Sequence, residues 1–401
     1  MKDSKYQAVA FTIALCSACS AVLTLAHTQW RDRIAANERF ARVLASVDAV
    51  GLLTGEMDRQ AVESTYATAL EPARSGAMDY HVARREGKVI GYVLDVAGRG
   101  RYGPIRAVLA IEPDRRTLKN LRIYEQNETP GLGGRITSRD WLGQFAGKPM
   151  GLGGLLFSRK ATGPNVIRPI TGASKTMFSV SRMVNRAIAQ FLAGGAEMVE
   201  LRVVLSHDEV SKATPGYPSS RPRPPHLRQE VRRPPFMVPK GATVNLALGR
   251  RVTSSTAEPA RGELDYVTDG VKKSAEEHWV ELDNDPQWVQ IDLGAERTIY
   301  AVAVWHYYAG TVIYNDVIVQ VSSDAAFGAG VVTLFNNDHD NSSRLGRGRD
   351  TAYIARWWAE IVDARGPHNR GTRCRYVRVG TNGHIDGDET RFVEVAVYGR
   401  Q

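Results

Sequence analysis

The sequence predicts a multidomain chain with an N-terminal transmembrane helix, an α+β domain and a C-terminal all-β sandwich. Three observations predict it. Tyr6 to Trp30 contain no Asp, Glu, Lys or Arg. Between residues 78 and 206, β-rich runs surround one helix-spaced run, "VSRMVNRAIAQFL". From Asn245 onward, short alternating apolar runs follow one another with Gly, Asp and Asn between them. At 401 residues the chain is long enough for two or three cores, and 43% hydrophobic with 24% charged residues is the composition of folded protein.

The apolar segment "AVAFTIALCSACSAVLTLA" covers 19 residues, 8 to 26. As a helix it is ~28 Å long, about one bilayer core. It is longer than a secretory signal's apolar region, Thr24 and Ala26 make a poor cleavage pair, and "RDRIAANERFARVLASV" continues in helical vocabulary. Residues 1–30 therefore read as an uncleaved single-pass anchor. Lys2 and Lys5 balance Arg31 and Arg33, so charge leaves its orientation open. Of the three cysteines, Cys16 and Cys19 have CxxC spacing but sit in the apolar run, where they read as small packing residues. With Cys374 they form no zinc or haem pattern.

Residues 31–206 form the second unit. "YHVARREGKVIGYVLDVAG", "IRAVLAIEP" and "LKNLRIYEQ" alternate as strands, and Gly98, Gly100 and Gly103 mark a tight connection. The loop "NETPGLGGRI" follows at 127–136. Then "TGASKTM" opens the helix carrying Val180 to Leu192, which "AGG" stops, and "EMVELRVVLS" closes the unit as a last strand. Ser174, or Thr171 before it, is placed to cap that helix. The same helix start is also a natural phosphate site. Gly172 and Ala173 permit close approach, and Lys175 adds positive charge. The hydroxyls alone leave cap and attachment point both open.

Residues 207–242 change character. Eight of the chain's 18 prolines lie between Pro215 and Pro239, and Lys212 to Lys240 hold seven basic residues against Glu230. This segment reads as an extended linker and carries +6 of the +9 net charge. Such an arm favours anionic surfaces, and nothing resembling a nucleic-acid recognition motif accompanies it. Residues 243–401 then supply "QWVQIDLG", "IYAVAVWHYY", "DVIVQVSS", "RYVRVGTN" and "FVEVAVYG", the strands of a sandwich or barrel. "VDARG" and "NNDHDNSSRLGRGRD" read as surface decorations.

The order of an apolar N-terminal helix, "GRGRYGPI", "ETPGLGG" and "TGAS" opening a helix resembles the FMN-binding domain of the Rnf complex G subunit and of the C subunit of sodium-pumping NADH:quinone reductases. The resemblance covers roughly residues 5 to 206. It implies FMN linked through its phosphate to the last hydroxyl of the motif, here Ser174, by a flavin transferase. Thr171, Gly172 and Ala173 would shape the motif, Lys175 and Thr176 would begin the helix, and Glu128, Thr129, Gly131, Leu132 and Gly133 would line the flavin pocket. The family prefers Thr where Ser174 stands, and Asp where Arg168 stands.

"NLALGRRVTSS", "TDG", "QWVQIDLG", the strand with Trp305, "VSSD" and "RYVRV" resemble the discoidin, or coagulation factor 5/8 type C, domain over about 243–401. That likeness implies an extracytoplasmic β-sandwich that binds sugars or other surface components through end loops. It also implies a structural Ca²⁺ held by Asp269, Ser274 and Glu394. Trp279, Tyr308, Trp357 and Trp358 are aromatic candidates for sugar stacking, although partial burial is their simpler role. Asp338, His339 and Asp340 read as a solvated loop, and His306 as a half-buried core histidine.

The expected protein is an electron-relaying flavoprotein of the bacterial inner membrane. It would make a single pass, with its domains outside and other redox subunits as partners. The discoidin domain would dock it to glycan or another envelope component. No nucleophile–base–acid set appears, so the redox chemistry would belong to the flavin. Two rivals stay open. One is a flavin-free envelope protein binding glycan; the other is a regulatory factor in which FMN senses redox state.

Overall fold

The computed structural model describes residues 2–151, 153–203, 224–228, 235–273, 278–284, 286–308, 312–366 and 369–400. The chain divides into two compact units. One holds Met1–Ala73, Asp79–Met150 and Ile167–Val184; the other holds Arg74–Met78, Gly151–Val166 and Asn185–Gln401.

Helix α1 (Lys2–Ala49) begins the first unit and continues well past the apolar run, as its vocabulary predicts. Among the described residues no single helix is long and apolar enough to cross a membrane. Val9–Leu25 and Thr28–Ala49, bent by 47° at the break between them, pass together by length and composition. Phe11, Ile13, Val22, Leu23 and Leu25 are each more than 60% exposed. Helix α2 (Arg59–Ala69) starts at Asp58, whose Oδ1 accepts from Ala61 N at 2.7 Å.

Five strands follow as a meander in chain order: β1 (Leu70–Ser75), β2 (Met78–Arg85), β3 (Lys88–Arg99), β4 (Pro104–Ile111) and β5 (Leu118–Glu125). On β4 every residue from Ala107 to Ile111 is fully buried, as its unbroken apolar run requires of a strand covered on both faces. Val108 and Ala110, with Val93 of β3, pack against Val47 and Ala49 of α1, Val50 just after it and Val62 of α2. Each large side chain buried there contributes roughly 1.5–3 kcal/mol. The opposite face carries Leu94, Leu109 and Gly98. A Cβ on Gly98 would stand 3.1 Å from Met183 Cβ. Glycine thus lets helix α4 (Ser174–Leu192) lie close to β3. Between β5 and α4 come a helical turn α3 (Arg139–Leu142) and the short strands β6 (Leu156–Phe157) and β7 (Val166–Ile167). Gly195 N reaches back to Gln190 O at 2.9 Å to end α4, as "AGG" predicts.

The expected closing strand behaves differently. β8 (Met198–Glu200) does not join the five-stranded sheet; it pairs antiparallel with β9 (Met237–Pro239). Met237, Val238 and Ala242 are buried although they fall within the expected linker. The apolar residues of "FMVPKGA" supply the reason, because Val238 packs with Leu201, Tyr300 and Trp305. The rest of that basic segment lies outside the described residues except 224–228 and 235–236. There Arg228 makes a two-pronged ion pair with Glu360, at 3.0 and 2.7 Å.

The β-sandwich is built on β13 (Gln287–His306), which follows β10 (Val244–Asn245), β11 (Val252–Ser254) and β12 (Val280–Leu282). After it come β14 (Ile318–Ser322), β15 (Val332–Asn336), β16 (Glu360–Asp363), β17 (Thr372–Thr381) and β18 (Thr390–Arg400). The main order is β10-β18-β13-β17-β14-β15, with β11 and β16 also on β13 and β12 on β18. Two runs that read as separate strands are one ribbon here. β13 pairs with β17 from Gln287 to Ile299, across a register shift between Asp292 and Arg297, and with β18 from Thr298 to His306. Alternate residues, among them Val289, Ile291, Val302, Val304, Val379 and Val397, fill the core.

Two expected surface features are interior. In "VDARG", Ala364 and Arg365 are buried; Arg365 Nη1 donates to Met237 O at 3.2 Å and its guanidinium lies over Phe236. Asp338, expected in a solvated loop, is fully buried. Its two oxygens accept from Asn341 N, Ser342 N, Ser343 N and Ser343 Oγ, so the carboxylate folds its own loop. His306 is fully rather than half buried.

Candidate functional site

Three segments of the first unit meet around one carboxylate. The β3–β4 turn closes with Gly100 N donating to Gly103 O at 2.8 Å. Glu128, 5% exposed, accepts at Oε1 from Arg101 N at 2.6 Å and from Tyr102 N at 3.4 Å. Its Oε2 accepts from the Thr176 hydroxyl of α4 at 2.5 Å. Glu128 thereby ties the turn, its own loop and the start of α4 together. The fit excludes larger residues. A Cβ on Gly100 would fall 2.4 Å from Glu128 Oε1, and one on Gly133 would fall 2.7 Å from Thr176 Oγ1.

The loop itself is a β-turn. Leu132 N donates to Thr129 O at 3.2 Å, Pro130 is second and Gly131, at φ +74°, is third. A second turn precedes α4, with Ala173 N donating to Ile170 O at 3.3 Å and Gly172 at φ +79°. A Cβ on Gly172 would meet Leu132 Cδ2 at 3.1 Å, so the two turns abut. Upstream, Arg168 is held by its backbone: its N–H donates to Gln144 Oε1 and its carbonyl accepts from Trp141 Nε1.

This geometry decides between cap and free hydroxyl. Ser174 is the first helical residue and is exposed, and Ala173 takes the cap position without a side-chain oxygen. Among the described residues neither the Ser174 nor the Thr171 hydroxyl makes a hydrogen bond, so the expectation that one of them caps α4 is not met. With Ala173 at the cap, the helix starts two residues too late for Thr171 and one too early for Ser174 to serve. Met177 N to Ala173 O, 2.9 Å, is the first helical bond there, which leaves the amides of Ser174, Lys175 and Thr176 outside the ladder.

Such a helix start attracts a phosphate through its amides and dipole, with the exposed Lys175 adding charge. Space exists as well: a Cβ on Gly131 would meet nothing within 4 Å, and Leu132 and Tyr102 expose apolar surface. Among the described residues no acid or base contacts Ser174 Oγ. The structure brings Glu128, Gly133 and Thr176 into contact, as it does Leu132 and Gly172. Thr171, Ser174 and Lys175 stand exposed beside them. Glu128 is a brace facing protein donors. Gly100 and Gly103, read only as a tight connection, are the walls that admit it and Asn127.

In the sandwich, Asp269 Oδ2 lies 2.8 Å from His278 Nε2 and Oδ1 accepts from Val271 N. Glu394 is fully buried, with Oε2 accepting from Gly270 N at 3.1 Å and, among the described residues, no partner for Oε1. Burial pushes its pKa up to about 8 against the opposing pull of the Gly270 hydrogen bond and of Lys272, with the Asp269 charge adding to the rise. An orphaned buried carboxylate oxygen is a donor that a cation would satisfy. Ser274 lies outside the described residues. Of the loop aromatics, Trp279 and Tyr308 are buried, Trp357 is partly buried against the core, and Trp358 is 46% exposed.

Residues 100–189 match the family model of the FMN-binding domain, and residues 266–354 match that of the NedA-like, galactose-binding domain of the F5/8 type C class. The chain joins an FMN-binding domain to a discoidin-like one. Every candidate flavin residue lies inside the first match. The chain is 27% identical over 188 residues to the C subunit of the Na(+)-translocating NADH-quinone reductase of Vibrio vulnificus, covering 37% of this chain and 74% of that protein. It is 30% identical over 116 residues to the G subunit of the proton-translocating ferredoxin:NAD(+) oxidoreductase complex of Clostridium ljungdahlii, covering 29% and 61%. The crystal structure of Shewanella oneidensis NqrC aligns over 38% of this chain and 93% of its own, at 18% identity and a TM-score of 0.34.

Proposed function

We propose that this protein is an anchored electron carrier whose FMN is attached through its phosphate to Ser174. The observation that carries the reading is an exposed, unpartnered hydroxyl on the first residue of a helix, inside a domain that matches the FMN-binding family. The flavin supplies the redox chemistry when bound. The helix-start amides and Lys175 would position it at its phosphate, and Leu132 and Tyr102 at its ring, with Glu128 bracing the β3–β4 turn and the start of α4. Among the described residues none is placed to activate Ser174, and in this reading a separate transferase makes the bond. It forms Oγ–P, breaks the bond between an activated flavin phosphate and its leaving group, and releases the hydroxyl proton.

Residues 1–30 serve as the membrane anchor, since the exposed apolar side chains of α1 gain most by entering lipid. Residues 31–206 carry the flavin, 207–242 form the basic connection, whose end from Val238 packs into the sandwich core, and 243–401 form the sandwich, on the outer side of a bacterial inner membrane. Electrons pass between other redox subunits, as the names of the relatives imply. The sandwich docks the protein to an envelope component, and Ca²⁺ at Asp269, Ser274 and Glu394 satisfies the orphaned oxygen. The test is kinetic. The chain is purified from membranes of a host expressing a flavin transferase, reduced anaerobically and mixed with a soluble quinone. The reading expects flavin absorbance to bleach and then return within seconds. A colourless chain would favour the flavin-free rival, to which Arg168 belongs as the departure from the family's acidic position.

A further inference from the structure

We propose that the sandwich binds an acidic sugar, a pyranose unit bearing a carboxylate, in an open cleft on the outer face of β13, β14 and β17. Arg378 would take the carboxylate, Asp316 a ring hydroxyl, and Trp288 with Leu345 the apolar face of the ring. This rests on the reading under which the sandwich docks the protein to an envelope component, and it names the ligand and the place.

Strand alternation creates the cleft. Val289, Val319 and Val379 point into the core, so Trp288, Ile318, Gln320, Arg378 and Gly380 face the other way. Register sets Gly380 opposite both Trp288 and Ile318, and Gln320 opposite Arg378. Gly380 adds no side chain to the floor, while Asp316 and Leu345 rise from neighbouring loops as a wall. The cleft is shallow and open, with a cavity volume of about 110 Å³, so it would hold one face of a sugar ring and leave the rest in solvent.

Arg378 is held ready and is not neutralised. Its guanidinium lies between the rings of Trp288, at 4.2 Å, and Phe327, at 3.9 Å. Nε and Nη2 donate to the neutral Gln290 Oε1, at 3.0 and 2.6 Å. Among the described residues no carboxylate pairs with Arg378, and Nη1 has no partner. Its neighbours on β17 differ: Arg373 pairs with Glu296 and Arg375 with Asp292. Partial burial draws the Arg378 pKa below the ordinary arginine value, the mark of a cation that has given up water without gaining an anion. The free outer edge of the fork fits a carboxylate with two parallel hydrogen bonds.

The opposite wall needs a donor. Asp316, in a left-handed conformation at φ +49°, accepts at Oδ2 from Ser342 Oγ and Asn382 Nδ2. Its Oδ1 has no partner among the described residues. A carboxylate accepts only, so a hydroxyl or amine of the ligand can donate there. A simple anion satisfies Arg378 but offers nothing to Asp316 or to the indole. One ring with a carboxylate at one end, hydroxyls at the other and a C–H face between them satisfies all three.

Calorimetric titration of the full chain in detergent, with trigalacturonate and with neutral galactotriose, tests this. The expected result is roughly tenfold tighter binding of the acidic probe. Arg378→Gln erases that preference, Arg378→Lys keeps part of it, and Trp288→Ala weakens both probes while Trp358→Ala changes neither. Thermal melts confirm that each variant is folded. If folded Arg378→Gln and Trp288→Ala bind as the parent does, the cleft assignment is overturned. If the parent binds neither probe, the acidic-sugar assignment is overturned, and co-sedimentation with isolated bacterial envelopes decides separately whether the sandwich docks at all.

Discussion

Glu128→Ala removes the acceptor that joins three segments, and its cost can be worked from the contacts. The Arg101 amide and the Thr176 hydroxyl each lose a bond to a charged group, at 2.6 and 2.5 Å, around a carboxylate that is only 5% exposed. Bonds of that kind are worth about 1.5–3 kcal/mol each. The 3.4 Å contact to Tyr102 adds little. Water entering the vacated space and the removal of a buried charge offset part of the sum, so the expected loss is about 3 kcal/mol. Glu128→Gln keeps an acceptor for Arg101 and a donor that the Thr176 hydroxyl can receive, and should lose about 1 kcal/mol. Hydrogen exchange read by peptide mass reports on this domain alone. Amides of 100–103 and 127–134 should exchange about a hundredfold faster in Glu128→Ala. Exchange within threefold of the parent, together with loss of flavin, would refute the brace and make the carboxylate a cofactor contact.

Other consequences are simpler to state. His306 bonds to Arg391 O and Tyr353 Oη, and burial pushes its pKa down to about 4. The folded ring stays neutral while the unfolded one protonates near 6.5, so stability is full above that pH and falls as pH drops toward 4. A loss of about 2 kcal/mol in the sandwich between pH 7 and pH 5 should appear in denaturant melts and vanish in His306→Gln; equal parental stability at both pH values would contradict it. Millimolar Ca²⁺ should raise the sandwich's melting temperature in the parent and leave Glu394→Gln unmoved, and a parent indifferent to Ca²⁺ would remove the cation from the account. Deleting residues 2–30 should move the protein from the membrane pellet to the soluble fraction, and a truncated chain that still pellets would shift the anchor elsewhere.

How much of this was legible differs by element. Strand and helix periodicity placed β2 to β5, α4 and, in the sandwich, β13, β14, β17 and β18, because each buries one face or both and the pattern follows the burial. The loop at 127–136 was legible from its glycines and proline, whereas Gly172 on its own reads only as permitting close approach. What escaped was tertiary. Nothing local says that Glu128 faces amides from residues 101 and 102, or that Asp338 folds its own loop. The "GAER" between two strand runs reads as a turn, and only pairing with both β17 and β18 shows it to be a bend in one ribbon. The absence of a cap on α4 was hidden too, because a hydroxyl at the start of a helix looks alike whether or not it turns back to the backbone.

The central claim is that Ser174 carries the flavin. The direct measurement is flavin fluorescence of the chain on a denaturing gel, after expression with a flavin transferase, with the adduct located by peptide mass. The account predicts a fluorescent band and an FMN-sized addition on the peptide holding Ser174. It predicts that both disappear in Ser174→Ala and persist in Thr171→Ala with the adduct still on Ser174. A fluorescent Ser174→Ala band, or a dark band from the parent, would contradict it.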